Sequence, residues 1–228
     1  MKLDVYHYMI IFLLAAAGAA MYQAQQFYPQ VFVIPAVAAV TEFAILYYRT
    51  RRKELPLSAI ISGLIIASIM PQLSLVAQAA AALLAVVPKQ AVKMWRGSHI
   101  LNPAAFSVLA TSLLFSAPPS WWIGTSPVVL IFLLTANMVN RLLISVSFYA
   151  FFLLFRGAVL LDYTAIFFAL VMAVEPKTTP VSQKGMLAFG VWIAILAFLV
   201  QYAALGIDPL IVSLLVMNVF TKMLNKLK

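Results

Sequence analysis

The sequence predicts an all-α polytopic membrane protein of ten transmembrane helices, arranged as two inverted five-helix repeats. Three observations carry that prediction. With 65% hydrophobic residues and only 9% charged ones, the chain has too little polar surface to coat a water-soluble globule. Its apolar runs are apolar all round rather than on one face, as segments surrounded by lipid are. Finally, with both termini in the cytoplasm, all of the fifteen lysines and arginines except Arg156 fall on the inner side, the bias that orients membrane spans. One missed helix would invert every later loop and destroy that bias. The same distribution, at the ends of apolar runs, excludes nucleic acid as the reason for the net charge of +9. The expected location is the cell (inner or plasma) membrane.

Residues 1–228 form a single membrane domain, with repeat halves of about 1–120 and 121–228 and no soluble module or cleaved signal peptide expected. The first span covers about Tyr6 to Ala24. The second, about Pro29 to Tyr48, follows the polar turn QAQQFYPQ and leads to the densest basic cluster, Arg49 to Lys53. The third, Leu57 to Met70, stops at Pro71, and the fourth, about Leu73 to Val87, stops at Pro88, because proline cannot continue the helical hydrogen-bond ladder. The fifth runs from Ile100 to Ala117 and ends at Pro118 and Pro119. A connection bearing Trp121 and Trp122, which suit the interfacial belt, precedes spans six (Val128 to Val139) and seven (Leu142 to Phe155). The eighth, Tyr163 to Val174, ends at Glu175 and Pro176; the ninth spans Met186 to Leu205 and the tenth Pro209 to Thr221.

Ten spans divide as five plus five, and an odd number per half places homologous halves in opposite orientations. The third and eighth spans, SGLIIASIMP and AIFFALVMAVEP, are both short and both stop at a proline. Such pairs point to a site built from broken helices, although proline termination at the interface explains the same feature.

Two polar interruptions are the candidate site: Pro88 to Phe106, PKQAVKMWRGSHILNPAAF, and Glu175 to Lys184, EPKTTPVSQK. In the first, Asn102 followed by Pro103 opens a helix, the amide oxygen accepting from first-turn N–H groups and proline suiting the first helical position. Ser98, His99 and Asn102 follow Lys89, Lys93 and Arg96 closely, an arrangement suited to an anion or a polar cofactor edge, and equally to anionic lipid headgroups. Glu175 is either solvated or paired with Lys177, or turned into the bundle to order a ligand or relay a proton. Asp162 and Asp208 read as helix caps. With no cysteine and only His7 and His99, thiolate-ligated iron–sulfur clusters and haem or zinc cages are excluded, so no metal site is expected.

GSHILNPAAF, then EPKTTPVSQKGMLAFG, then DPLIVSLLVMNVF resemble, in this order and spacing, the RnfD membrane component of Rnf-type electron-transport complexes and its relative in the sodium-translocating NADH:quinone reductase. The likeness runs from about Ser58 to Phe220. It implies a ten-helix inverted-repeat fold similar to urea transporters that holds FMN or riboflavin and passes electrons among the other membrane subunits of a complex, with possible coupling to ion translocation. Carried over by position, Asn102, Pro103 and Ala104 would lie beside the flavin, with Thr178, Thr179 and Asn218 lining the pseudo-symmetric side.

One departure bears on how the cofactor is held. Family members commonly attach FMN through a phosphoester to a threonine in an Asp-led Ser-Gly-Ala-Thr-type motif, where this chain reads WWIGTSP. A hydroxyl is present at Thr125 or Ser126, but the leading Asp and the Ala-Thr pair are not, so the expectation is a noncovalent flavin. With no GxGxxG fingerprint, the chain is not expected to oxidise NADH by itself; it is at most a redox subunit with no catalytic activity alone. A second reading uses the same scaffold as a channel or carrier for a small solute.

Overall fold

The computed structural model describes residues 4–51, 53–96, 100–156 and 162–227. Among them every regular element is helical: α1 (Val5–Ala24), α2 (Gln30–Thr50), α3 (Leu57–Ile69), α4 (Leu75–Arg96), α5 (Pro103–Phe115), α6 (Phe132–Met138), α7 (Leu142–Arg156), α8 (Tyr163–Phe167), α9 (Gln183–Tyr202) and α10 (Pro209–Leu224). Two 3₁₀ turns, Trp122–Thr125 and Pro127–Ile131, lead into α6, and α8 continues as a π-helical turn, Phe168–Met172. Lys2, Arg52, Ser98, His99 and Lys228, and the side chains of Lys93, Arg96 and Arg156, lie outside the described residues.

Among the described residues, four helices are long and apolar enough to cross a membrane: Val5–Ala24, Gln30–Thr50, Leu75–Val92 and Gln183–Tyr202. The other apolar helices are shorter. At 1.5 Å per residue the 13 residues of α3 reach about 20 Å, two-thirds of a hydrocarbon core.

Local chemistry sets the helix starts. Asp4 accepts from the N–H groups of Tyr6 and His7, and the His7 ring returns to the Asp4 N–H. Asn102, Asp162, Ser182 and Asp208 likewise cap α5, α8, α9 and α10, each satisfying an otherwise orphaned first-turn donor. The capping roles read for Asn102, Asp162 and Asp208 therefore hold.

Two expectations are corrected. The fourth span does not stop at Pro88: α4 runs through it to Arg96, as membrane helices with packed neighbours tolerate. Nor do Trp121 and Trp122 form an interfacial belt. Both are buried; Trp122 stacks on Tyr28 at 4.3 Å and donates to the Ala67 carbonyl, while Trp121 donates to Asp208 Oδ2 at 2.7 Å. The indole N–H found protein acceptors, which removed its reason to seek water.

In the first half α2 packs on α3 and α4, and α4 on α5; in the second, α7 packs on α9 and on the π turn, and α9 on α10. Contacts of α5 with α10 and of α1 with α6 join the halves. Small residues set the tightest crossings. A Cβ on Gly63 would lie 2.5 Å from the Pro35 Cα, and one on Gly190 would lie 2.5 Å from the Ile144 carbonyl oxygen. The second half encloses an aromatic core of Phe132, Phe148, Phe167 and Phe168, with Phe132 and Phe167 edge-to-face at 5.7 Å. Large apolar side chains such as Val40, Leu75, Leu114, Leu154 and Val219 stand exposed on the outside.

Candidate functional site

The short helix α3 and the π turn both end inside the molecule, so their last carbonyls need partners that water would otherwise supply. At the end of α3, Gln30 Nε2 donates to the carbonyls of Ala67 (3.1 Å) and Met70 (2.8 Å). Trp122 Nε1 also reaches Ala67 (2.8 Å), and the N–H groups of Ser120 and Trp121 reach the Ile69 carbonyl at 2.8 and 2.9 Å. At the π turn, Ser145 Oγ donates to the Ala169 carbonyl (2.7 Å) and Asn102 Nδ2 to that of Met172 (3.2 Å).

Asn102 is the pivot of the second arrangement. Its oxygen accepts from the Ala105 N–H at 2.9 Å, and its own backbone N–H donates to Asn218 Oδ1 at 2.8 Å. Asn218 Nδ2 in turn donates to the Thr178 carbonyl (3.1 Å), which Thr221 Oγ1 also reaches (2.6 Å). Asn102, Thr178, Thr179 and Asn218 are all buried. Thr178 Oγ1 donates to Glu175 Oε2 and Thr179 Oγ1 to the Glu175 carbonyl. The Arg141 side chain, buried ahead of α7, donates from Nε to Thr179 Oγ1 at 3.3 Å. Burial lowers the guanidinium pKa from its ordinary value; arginine nevertheless stays charged in proteins.

This junction forms one wall of a cavity of about 100 Å³. Asn102, Pro103 and Ala104 line it from the start of α5, and Val171, Val174, Glu175, Pro176 and Lys177 from the end of the π turn. Ser58, Ser62 and Ile65 of α3 and Tyr6 and Met9 of α1 complete it. The walls are mostly apolar, with polar groups at Asn102, Glu175, Lys177 and the two serines.

The structure thus gathers Asn102, Pro103 and Ala104 at the cavity, together with the beginning of the second polar segment. Thr178, Thr179 and Asn218 do not line it; they stand behind it and hold Asn102 and Glu175 in place. Thr125 and Ser126 lie elsewhere, in the 3₁₀ turns before α6. Thr125 is exposed and donates to the Trp122 carbonyl, whereas Ser126 is buried and accepts from the Val128 N–H.

The grouping of Lys89 with Lys93 and Arg96 as a basic entry to α5 is corrected for Lys89. That residue is 6% exposed and its ammonium lies 2.7 Å from Oε1 of Glu42, itself 4% exposed on α2. Lys89 also donates to Ser58 Oγ at 3.3 Å, and Gln90 Nε2 donates to Glu42 Oε1. Glu42 Oε2 is buried with no hydrogen-bond partner. This cluster was missed by the motif reading. Its signal was present: one carboxylate inside the apolar run VAAVTEFAILYY marks a residue that must pair within the bundle. No group of acidic and histidine side chains suited to a metal ion occurs among the described residues.

No protein-family model matches the chain, and no curated protein matches its sequence.

Proposed function

We propose that this chain is an integral membrane subunit of a flavin-dependent electron-transport complex of Rnf or sodium-translocating NADH:quinone reductase type, with both termini cytoplasmic and ten spans as two inverted repeats. The supporting observation is the cavity itself. Two polar segments more than seventy residues apart, Asn102–Ala104 and Glu175–Lys177, converge on it from opposite halves of the chain, and both belong to the strings that carry the family resemblance. The similar order of packing in the two halves, and the placement of a short helix end in each, support the repeat.

Pro103, Ala104, Val171 and Val174 offer flat apolar contacts for a ring system, and Lys177, Ser58 and Ser62 offer polar contacts for its edge. Bound there without a covalent link, a flavin supplies one- and two-electron chemistry; the protein supplies orientation and electrostatics. Asn102 contributes as a positioning residue, since its oxygen, one amide hydrogen and its backbone N–H are already engaged within the protein.

A second reading, a channel or carrier for a small solute, is favoured by one observation. The cavity volume of about 100 Å³ falls below the ~300–1,000 Å³ of pockets that enclose drug-sized ligands. The two readings separate in the absorbance spectrum of protein purified in mild detergent and reconstituted with excess flavin. The electron-transport reading expects flavin bands that acid precipitation releases to the supernatant, and a loss of those bands in Ala104→Leu, which fills the cavity. A protein that stays colourless after reconstitution removes the flavin reading.

A further inference from the structure

The pair formed by Glu42 and Lys89 joins three helices and touches the cavity wall. Glu42 lies on α2, Lys89 and Gln90 on α4, and Ser58, which lines the cavity, on α3. Here Lys89 and Gln90 both bond Oε1, and Oε2 is left buried and unpartnered. Lys89 meanwhile holds Ser58 Oγ with a second hydrogen. Hydrogen-bonding groups therefore run without a gap from the cavity through Ser58 and Lys89 to Glu42.

We propose that Glu42 is a proton-loading position served from the cavity through Ser58 and Lys89. The Lys89 ammonium, which donates to both Glu42 and Ser58, first gives one proton to Glu42 Oε1; the neutral amine left behind accepts the Ser58 hydroxyl hydrogen as that hydroxyl turns toward it, and a proton from cavity water adds to Ser58 Oγ. The O–H bond of Ser58 and one N–H bond of Lys89 break and are remade. The net change is one new O–H bond on Glu42 and one proton fewer in cavity water. Rotation of the carboxyl group then leaves a carbonyl oxygen facing Lys89 and Gln90 and places the hydrogen at the position that has no partner.

The charge balance says when loading occurs. Among the described residues, the charged groups facing Glu42 are Lys89 from α4 and, through Gln90, Arg49 of α2 itself, 3.5 Å from Gln90 Oε1 and exposed to solvent at the helix end; α3 presents the neutral Ser58. Loading leaves Lys89 without a counter-charge, so it is favoured when negative charge enters the cavity and the ammonium turns toward it past Ser58. The site thus couples arrival of an anion or an electron in the cavity to uptake of a proton. This holds for any cavity occupant that brings negative charge, and it does not depend on the flavin reading.

The test is infrared difference spectroscopy of the full chain in lipid nanodiscs, without added ligand, titrated from alkaline to acidic pH. A protonated-carboxyl band is expected to grow on acidification, to disappear in Glu42→Gln, and to persist in Glu54→Gln and Glu175→Gln. In Lys89→Met, which breaks the route from the cavity, that band is expected to grow more slowly after a rapid step to acidic pH. Should Glu42→Gln fail to fold, the double variant Glu42→Leu/Lys89→Met removes both charges together and serves as the band-free reference. A band unchanged in the variant lacking Glu42, or one that grows as fast in Lys89→Met as in the wild type, overturns the proposal.

Discussion

The buried ends of α3 and of the π turn pose the same physical problem and are solved differently. At the α3 end, donors from Gln30, Ser120, Trp121 and Trp122 converge on the carbonyls of Ala67, Ile69 and Met70, and Ala67 is reached by two of them. At the π turn, the Met172 carbonyl depends on Asn102, and the next residues open onto a cavity. One end is closed by a tryptophan-bearing loop, and the other is left lined with Val171, Val174 and Glu175. The difference teaches how two buried helix ends diverge. Several donors share Ala67 and Ile69 at the α3 end, whereas Asn102 alone holds the Met172 carbonyl beside the cavity.

The sharpest way to break this comparison is Asn102→Ala, which removes the cap of α5 and the partner of Met172 together. It is expected to cost about 3 kcal/mol, read as a lowered unfolding midpoint in detergent. Flavin lost by this variant must therefore be judged against its stability. Gln30→Ala, at the redundant end, strips Met70 but leaves Ala67 held by Trp122, and a smaller loss of about 1–2 kcal/mol is expected. Equal losses in the two variants would remove the distinction between the ends. Trp122→Phe keeps the stack on Tyr28 while deleting one donor, and is expected to lower stability by about 1 kcal/mol or less. The smallest effect is expected for Thr125→Ala. This exposed residue bonds only within its own turn, so stability should change by no more than about 0.5 kcal/mol and flavin content should stay at the wild-type level. Flavin bands that remain with the acid pellet of the wild type and vanish in Thr125→Ala would instead place a covalent link there.

Much of the scaffold was legible because its signals are local. The Asx-Pro starts at Asn102–Pro103 and Asp208–Pro209 need only a side chain and the first turn of its own helix. The short length of α3 follows from a proline two residues beyond its last helical residue. What the sequence concealed depends on partners far along the chain. Pro88 ends a helix by local rules, yet α4 continues through it, because packed neighbours decide whether the broken ladder is tolerated. Trp121 and Trp122 read as surface anchors until Asp208 and Ala67 supplied their acceptors. Within the candidate site, the roles of Thr178 and Asn218 as supports rather than lining follow from hydrogen bonds that span about forty and more than a hundred residues. The pairing of Glu42 with Lys89 joins positions with no local relation at all.

The π-helical turn at Phe168–Met172 has a consequence for how this fold tolerates insertion and deletion. A π turn accommodates one residue more than the α-helical turn it replaces, so it acts as a reading-frame shift within a helix. Deleting one residue there would let the segment close to α geometry with everything beyond the turn at nearly its present angle, because the turn already absorbs the extra residue. A residue lost from the α-helical part, Tyr163–Phe167, would instead rotate everything beyond by about 100°, turning Val171, Val174 and Glu175 from the cavity and parting Met172 from Asn102. The segment can thus lose a residue within Phe168–Met172, and not within Tyr163–Phe167, while Glu175 keeps its place at the cavity.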